Sequence, residues 1–229
     1  MIALLLLPVC YGVFRTLWHL LPVFRQVPEG SFYFFAGMLG YFLLEWAFFR
    51  PIRTYVFGHE LTHALAAIMS GGEVKNFHVS KDGGAVSVTK SNLFVALAPY
   101  MVPLYALILL GTFCAGNCFY DWHRYRNVFL AALGISIGFH IGLTVFALRQ
   151  SQPDLKVAGW FLSSVLIFLG NSVCLVLLLG VLFPRTISWM ALVRQSAHET
   201  WHAYRAAGHG GQRVWTYSLE HVHGLENRN

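Results

Sequence analysis

The sequence predicts an all-α, polytopic membrane protein with about six transmembrane helices, a small β-hairpin after the third helix and an amphipathic C-terminal tail. Of the 229 residues, 56% are hydrophobic and only 11% are charged, whereas a soluble domain carries charges at about a quarter of its positions. Apolar runs such as residues 93–116 and 159–183 exceed the roughly 20 residues that span a bilayer as a helix. The alternating pattern of a membrane barrel is absent, so helices must satisfy the backbone in lipid.

Six apolar stretches can each cross a bilayer as one helix. They cover residues 2–21, 31–49, 54–70, 93–115, 127–148 and 159–183. The first stretch lacks the basic leader and the small-residue cleavage site of a secretory signal, so we interpret it as a retained span. The third stretch is the least hydrophobic because His59, Glu60 and His63 lie in its middle.

Two segments lie outside these stretches. Residues 73–90 predict a β-hairpin, because hydrophobic and polar residues alternate on both sides of the glycine turn Asp82-Gly83-Gly84. From residue 184 onward the composition becomes polar and includes five of the eleven histidines, and we expect an amphipathic interfacial helix over residues 187–207. The sequence therefore predicts a membrane domain over residues 1–183 and a polar tail over residues 184–229.

Charge and cysteine content exclude several classes of protein. The net charge of +6 arises from 16 lysines and arginines that are scattered over loops and span ends, a pattern typical of membrane flanks and not of a nucleic-acid surface. Four cysteines in apolar sequence are too few for a disulfide framework. The basic residues divide evenly between the two sides of the membrane, and only Arg205 and Arg213 favour a cytoplasmic tail and N-terminus. A compact chain without a long targeting sequence suggests a bacterial inner membrane.

The sharpest motif is His59-Glu60-Leu61-Thr62-His63, inside the third stretch. Residues four apart lie on one face of a helix, so both imidazoles can bind one zinc ion while Glu60 takes a proton from its water. The alternative is a pair of histidines that only hydrogen-bond to neighbouring helices. Because two histidines and a glutamate are costly inside an apolar helix and usually functional there, we favour metal binding.

The motif and its surroundings resemble the site-2 proteases, which are intramembrane zinc metalloproteases. The resemblance rests on GHELTHALAA at residues 58–67, on Gly71-Gly72, on the hairpin ending in Asp82-Gly83-Gly84 and on Ala98-Pro99 in the following span. It implies that His59 and His63 bind zinc, that Glu60 is the general base and that the catalytic core covers residues 54–148. It also implies hydrolysis of peptide bonds within transmembrane substrates, with the hairpin able to pair with an unfolded substrate strand.

The sequence leaves two candidates for the third zinc ligand. The family usually supplies an aspartate from an Asn-x-x-Pro and Leu-Asp-Gly context, which this sequence lacks. Asp82 suits the hairpin turn and Asp121 a solvated loop, whereas Asp154 can join the site if its loop folds inward, although an acidic helix start is its ordinary explanation. Depth favours His140, because it lies about as deep in the fifth stretch as His63 does in the third, and three imidazoles plus water form a catalytic zinc site. Asp154 is its rival.

Three further polar residues lie in or near the apolar stretches. Asn171 and Tyr55 can stabilise a developing oxyanion or simply hydrogen-bond to a neighbouring helix. Glu45 can orient one of the site histidines, but an ion pair with Arg50 is the simpler interpretation.

A second HExxH motif, His198 to His202, lies in the tail. A soluble zinc protease would need a third ligand downstream, for which His209, Glu220 and Glu226 are available. The tail has too few apolar residues to build the domain that would hold such a site rigid. We therefore interpret the segment as an interfacial helix with exposed histidines, able to bind metal loosely.

These observations predict an intramembrane zinc metalloprotease that acts on transmembrane protein or peptide substrates in the lipid bilayer and has no nucleic-acid partner. The missing third-ligand motif motivates an alternative from another class. In that alternative, the protein is a non-proteolytic membrane protein whose zinc or histidine site is structural or handles ions.

Overall fold

The fold is mostly helical, with one small hairpin. The computed structural model describes residues 2–26, 28–48, 50–80, 83–150, 152–183 and 187–226, and the side chains of residues 23, 24, 26, 28 and 209–226 lie outside this description. The described helices are α1 Ile2–Leu20, α2 Pro28–Ala47, α3 Ile52–Met69, α4 Leu93–Met101, α5 Leu104–Phe119, α6 Arg126–Leu148, α7 Trp160–Leu182 and α8 Trp189–Glu226. The strands are β1 Val74–Val79 and β2 Gly84–Val88.

The predicted hairpin between α3 and α4 is confirmed. Strand β1 pairs with β2 in antiparallel register, with Phe77 opposite Val86 and Val79 opposite Gly84. Helix α3 ends at Met69. Gly71 follows with a φ of +73°, which favours glycine, and the amide of Gly72 donates to the Ala67 carbonyl. The predicted turn residue Asp82 lies outside the described residues.

Fewer helices than expected have the length and hydropathy of a membrane span. In the described part of the chain, the segments Ile2–Leu20, Trp122–Leu148 and Trp160–Leu182 qualify, and α4 with α5 makes a fourth if this bent pair is one broken span. The expectation of six spans is therefore not confirmed. Glycines, tyrosines and two glutamates lower the hydropathy of α2, and the HExxH residues lower that of α3.

Prolines divide the single helix expected over residues 93–115. Val102 adopts an extended backbone between α4 and α5, because the residue before a proline is forced away from helical dihedrals. Pro103 follows it, and the axes of the two helices differ by 71°. At the other end of α4, the side chain of Asn92 accepts a hydrogen bond from the Val95 amide at 2.9 Å and caps the helix.

The chain forms two compact units. One comprises Met1–Leu21 and Val176–Asn229, and in it α1 packs along α8. The Tyr204 hydroxyl donates to the Leu5 carbonyl across that contact. The other unit is Pro22–Leu175 and contains α2 to α6, the hairpin and the first part of α7. The predicted boundary at residues 183 and 184 stays a prediction.

Small side chains let α3 and α4 approach closely in the second unit. Ala66 and Ala67 of α3 pack against Val95 and Ala98 of α4, and all four are at most 2% exposed. Close contact of this kind is typical of helices that associate in membranes. The alanine-rich sequence after His63 therefore brings the backbone of α4 against the HExxH helix.

Two glycines allow the backbones of α2 and α6 to touch. A Cβ atom at Gly134 of α6 would overlap with the Phe34 carbonyl, and one at Gly37 of α2 would overlap with the Ala131 carbonyl. The substitution Gly134→Ala is therefore expected to lower the free energy of unfolding by about 1–3 kcal/mol, measured as a shift of thermal unfolding in detergent.

A matched control lies on the same helix pair. A Cβ atom at Gly40 of α2 would meet nothing within 4 Å, so Gly40→Ala is expected to leave stability unchanged or raise it through better helix propensity. Equal destabilisation by Gly134→Ala and Gly40→Ala would contradict the close packing of α2 on α6.

Candidate metal centre

Helix α3 presents two imidazoles at the spacing that a zinc ion requires. The Nε2 atoms of His59 and His63 lie 3.2 Å apart. Two zinc–nitrogen bonds of about 2.0–2.1 Å at a tetrahedral angle place their nitrogens about 3.3 Å apart. The two rings are therefore oriented as ligands of one ion.

Asp154 brings a third ligand atom to these histidines. Its Oδ2 atom lies 3.6 Å from Nε2 of His59 and 3.6 Å from Nε2 of His63. One donor atom from each of the three residues lies within 4.8 Å of the others, and no other such group occurs among the described residues. The loop before α7 thus folds inward, as the Asp154 alternative requires.

Three contacts hold the Asp154 loop in place. Leu155 is 4% exposed and packs with Leu97, Tyr100 and neighbouring apolar residues. The buried Ser163 hydroxyl of α7 donates to the Leu155 carbonyl at 3.0 Å, and the Tyr100 hydroxyl donates to Oδ2 of Asp154 at 2.9 Å. A short turn is therefore anchored from both α4 and α7.

The electrostatic environment favours the ionised form of Asp154. Burial raises the pKa of its carboxyl group, but the two imidazoles beside it and the hydrogen bond from Tyr100 outweigh burial and hold that pKa well below its usual range. The side chain is therefore an anionic oxygen donor at neutral pH.

A proline in α4 orients His63. Pro99 has no amide hydrogen, so the carbonyl of Val95, four residues earlier, lacks its usual helical partner. Nδ1 of His63 lies 2.8 Å from that carbonyl oxygen and donates to it. The proton on Nδ1 leaves the lone pair of Nε2 for a metal ion, in the manner of the outer-shell partners of zinc-bound histidines.

Tyr55 has the corresponding position beside His59. Its hydroxyl lies 3.3 Å from Nδ1 of His59, one helical turn away on α3. With Nε2 as the ligand, Nδ1 carries the proton and donates to the hydroxyl oxygen. The structure thus places Tyr55 behind a ligand, a different position from the predicted contact with an oxyanion.

His140 does not join the three-residue group. Its Nε2 atom lies 3.0 Å from Oδ1 of Asn171. The amide nitrogen of Asn171 donates to the carbonyls of Tyr100 at 2.7 Å and Ile167 at 2.9 Å, so its oxygen faces His140 and Nε2 of His140 must carry a proton. The prediction that His140 lies as deep in its helix as His63 does not determine the direction in which the ring of His140 points.

Glu60 and the three candidate ligands line the same cavity. The cavity has a volume of about 350 Å³, and His59, Glu60, His63 and Asp154 line it together with strand β2. The hairpin backbone approaches Glu60 closely, since a Cβ atom at Gly84 would lie 2.6 Å from Cγ of Glu60. The carboxylate can therefore exchange a proton with a molecule held between the histidines and the hairpin.

Other predicted residues lie away from the cavity. Glu45 accepts a hydrogen bond from Nε of Arg50 at 2.6 Å, which is the simpler of its two interpretations, and Asp121 is exposed. In the tail, the side chains of His209, Glu220 and Glu226 lie outside the described residues.

Sequence reasoning missed Tyr100 and the Val95 carbonyl. The Val95 carbonyl could have been found from the sequence, because a proline inside a helical pattern leaves the carbonyl four residues earlier without a partner. No comparable sequence pattern points to Tyr100, since only the folded loop brings Asp154 to its hydroxyl.

The substitution Pro99→Ala tests how His63 is oriented. Alanine restores an amide hydrogen that competes with His63 for the Val95 carbonyl, so we expect zinc affinity to fall about 10–100-fold, as for loss of other outer-shell partners. Competition with a zinc-binding dye in detergent measures the dissociation constant.

The control is Pro8→Ala, because Pro8 is also inside a helix, α1, but belongs to the other unit. It is expected to leave zinc affinity unchanged. An unaltered dissociation constant in folded Pro99→Ala protein would refute the role of the freed carbonyl.

Comparison with known families agrees with this geometry. The model of the family described as Peptidase M50B-like matches residues 34–172, more than half of the chain, and the match confirms the resemblance to the site-2 proteases. No curated protein and no solved structure gives a significant match. The apolar helices and the family together indicate a membrane metallopeptidase. The chain belongs to the Peptidase M50B-like family.

Proposed function

We propose that the protein is a zinc metallopeptidase that hydrolyses peptide bonds of membrane-embedded protein substrates. The observation that carries the proposal is the convergence of His59, His63 and Asp154 beside Glu60 on one cavity. Membership of a metallopeptidase family supports it.

The donor set suits zinc. Two imidazole nitrogens and one carboxylate oxygen are a common ligand set of catalytic zinc sites, which keep a fourth position for water or substrate. Zinc is also supported by the nitrogen separation of 3.2 Å and by the hydrogen bonds that orient His59, His63 and Asp154. When bound, zinc would lower the pKa of a water molecule and polarise the scissile carbonyl.

Glu60 is the residue that accepts and donates the proton during hydrolysis. Its carboxylate takes a proton from the attacking water and later gives it to the leaving nitrogen, so that the amide C–N bond breaks and a carboxyl group and an amine form. Tyr55 and the Val95 carbonyl keep the two imidazoles oriented, and Tyr100 fixes the carboxylate of Asp154. These groups position the site without themselves changing protonation state.

The walls of the cavity favour a locally extended substrate. Residues of β2 line one side, including Gly84, Val86 and Val88, while Val157 and Pro153 belong to the Asp154 loop. A helical segment satisfies its own backbone hydrogen bonds, whereas an extended one presents a carbonyl to the site and its backbone to a strand edge. We therefore propose substrates whose transmembrane segment unwinds near the cleavage point.

The substitution Glu60→Gln tests the proposal directly. It keeps the size of the side chain but removes the proton acceptor, so cleavage is expected to slow about 10²–10⁴-fold while zinc content stays unchanged. Membranes from cells expressing each variant are compared by mapping new N-termini of single-span membrane proteins, and a responsive substrate is then followed with purified enzyme in detergent.

Glu73→Gln is the matched control, because Glu73 is an exposed glutamate before the hairpin and is expected to leave cleavage unchanged. New termini that persist at the same rate with Glu60→Gln would refute the peptidase. Zinc bound tightly without any Glu60-dependent cleavage would instead support the structural or ion-handling alternative.

A further inference from the structure

The second HExxH motif, on α8, has the same ligand spacing as the first. The Nε2 atoms of His198 and His202 lie 3.1 Å apart, and their ring centroids lie 4.4 Å apart. The corresponding nitrogen separation is 3.2 Å for the pair on α3. Both values are close to the roughly 3.3 Å between two ligand nitrogens of a tetrahedral zinc ion.

The two motifs differ in what surrounds the histidines. His198 and His202 are exposed, so their side chains are not required for the packing of α8. Glu199 approaches α1 instead, where one carboxylate oxygen lies 3.9 Å from Nε of Arg15 and the other lies 3.9 Å from Nε2 of His19. The tail motif therefore offers two metal ligands, while its glutamate interacts with basic side chains.

Contacts with α1 hold this part of α8 in place. Gly12 of α1 packs so closely on Thr200 that a Cβ atom at Gly12 would overlap with it, and the Tyr204 hydroxyl donates to the Leu5 carbonyl. One of these contacts lies between His198 and His202, and the other lies two residues after His202. A helix that is already ordered presents two imidazoles to an ion without a further cost of ordering the backbone.

We propose that His198 and His202 form a second metal site, which binds a divalent transition metal ion such as Zn²⁺ or Cu²⁺. Imidazole ligands suit these ions, whereas Mg²⁺ and Ca²⁺ prefer oxygen. No third donor joins the pair among the described side chains, so water occupies the other coordination positions. The site therefore binds Zn²⁺ more weakly than the three-ligand site on α3 and takes Cu²⁺ more tightly than Zn²⁺.

Metal stoichiometry in the untagged full chain tests this proposal. Purified protein in detergent is titrated with Zn²⁺ alone, and bound zinc per chain is measured at saturation for the native protein and for His198→Ala/His202→Ala. We expect two equivalents for the native protein and one for the variant, with thermal unfolding of the apoprotein unchanged because the two side chains are exposed. The variant His59→Ala/His63→Ala should keep one equivalent, bound at the tail.

A spacing control separates chelation from a simple count of histidines. His202→Ala combined with Ala203→His keeps the number of imidazoles but places them five residues apart, on different faces of α8. The second ion should then bind at least about tenfold more weakly, because a chelating second ligand acts at a high effective concentration. His78→Ala/His123→Ala, which removes two other exposed histidines, should retain both equivalents.

Two results would overturn the tail site. One is bound zinc per chain that is the same for the native protein and for His198→Ala/His202→Ala, and the other is a spacing variant that binds the second ion as tightly as the native chain. Neither result bears on the peptidase, because loss of Glu60-dependent cleavage is measured separately.

Discussion

The contact of Asp154 with the two histidines of α3 is the interaction on which the candidate site depends. Two imidazoles on one helix are common, but they become a three-ligand centre only when the chain returns after α6 and places a carboxylate 3.6 Å from both Nε2 atoms. A carboxylate among apolar helices is unfavourable unless it is paired and hydrogen-bonded. The burial of Leu155 and the Tyr100 hydrogen bond supply this support.

Each candidate ligand contacts a further group that orients it, and these groups belong to two helices, α3 and α4. The Val95 carbonyl of α4 holds His63, while Tyr55 of α3 holds His59. Tyr100 is itself anchored, since its carbonyl accepts from Asn171, which in turn accepts from His140. His140 thus belongs to the structure that supports Asp154, and its half-buried ring is hydrogen-bonded there to Asn171.

The sequence predicted the histidine pair and the hairpin correctly, because both depend only on the spacing of neighbouring residues. The four-residue spacing of His59 and His63 fixes their common face, and alternating residues around a glycine turn fix the hairpin. The six predicted spans are not confirmed, because polar residues lower the hydropathy of α2 and α3 and because Pro103 breaks the fourth stretch. The choice between Asp154 and His140 depends on how a loop packs and how a helix is rotated, which neither spacing nor depth determines.

Zinc content of two single variants tests the central claim, that Asp154 is the third ligand. Both are made in the His198→Ala/His202→Ala background, so that bound zinc reports the α3 site alone, and zinc per chain is measured after equilibration at a fixed low free-zinc concentration. The account predicts that Asp154→Asn loses most of the bound zinc while His140→Ala keeps it. Retention of zinc by Asp154→Asn together with its loss from His140→Ala would contradict the account.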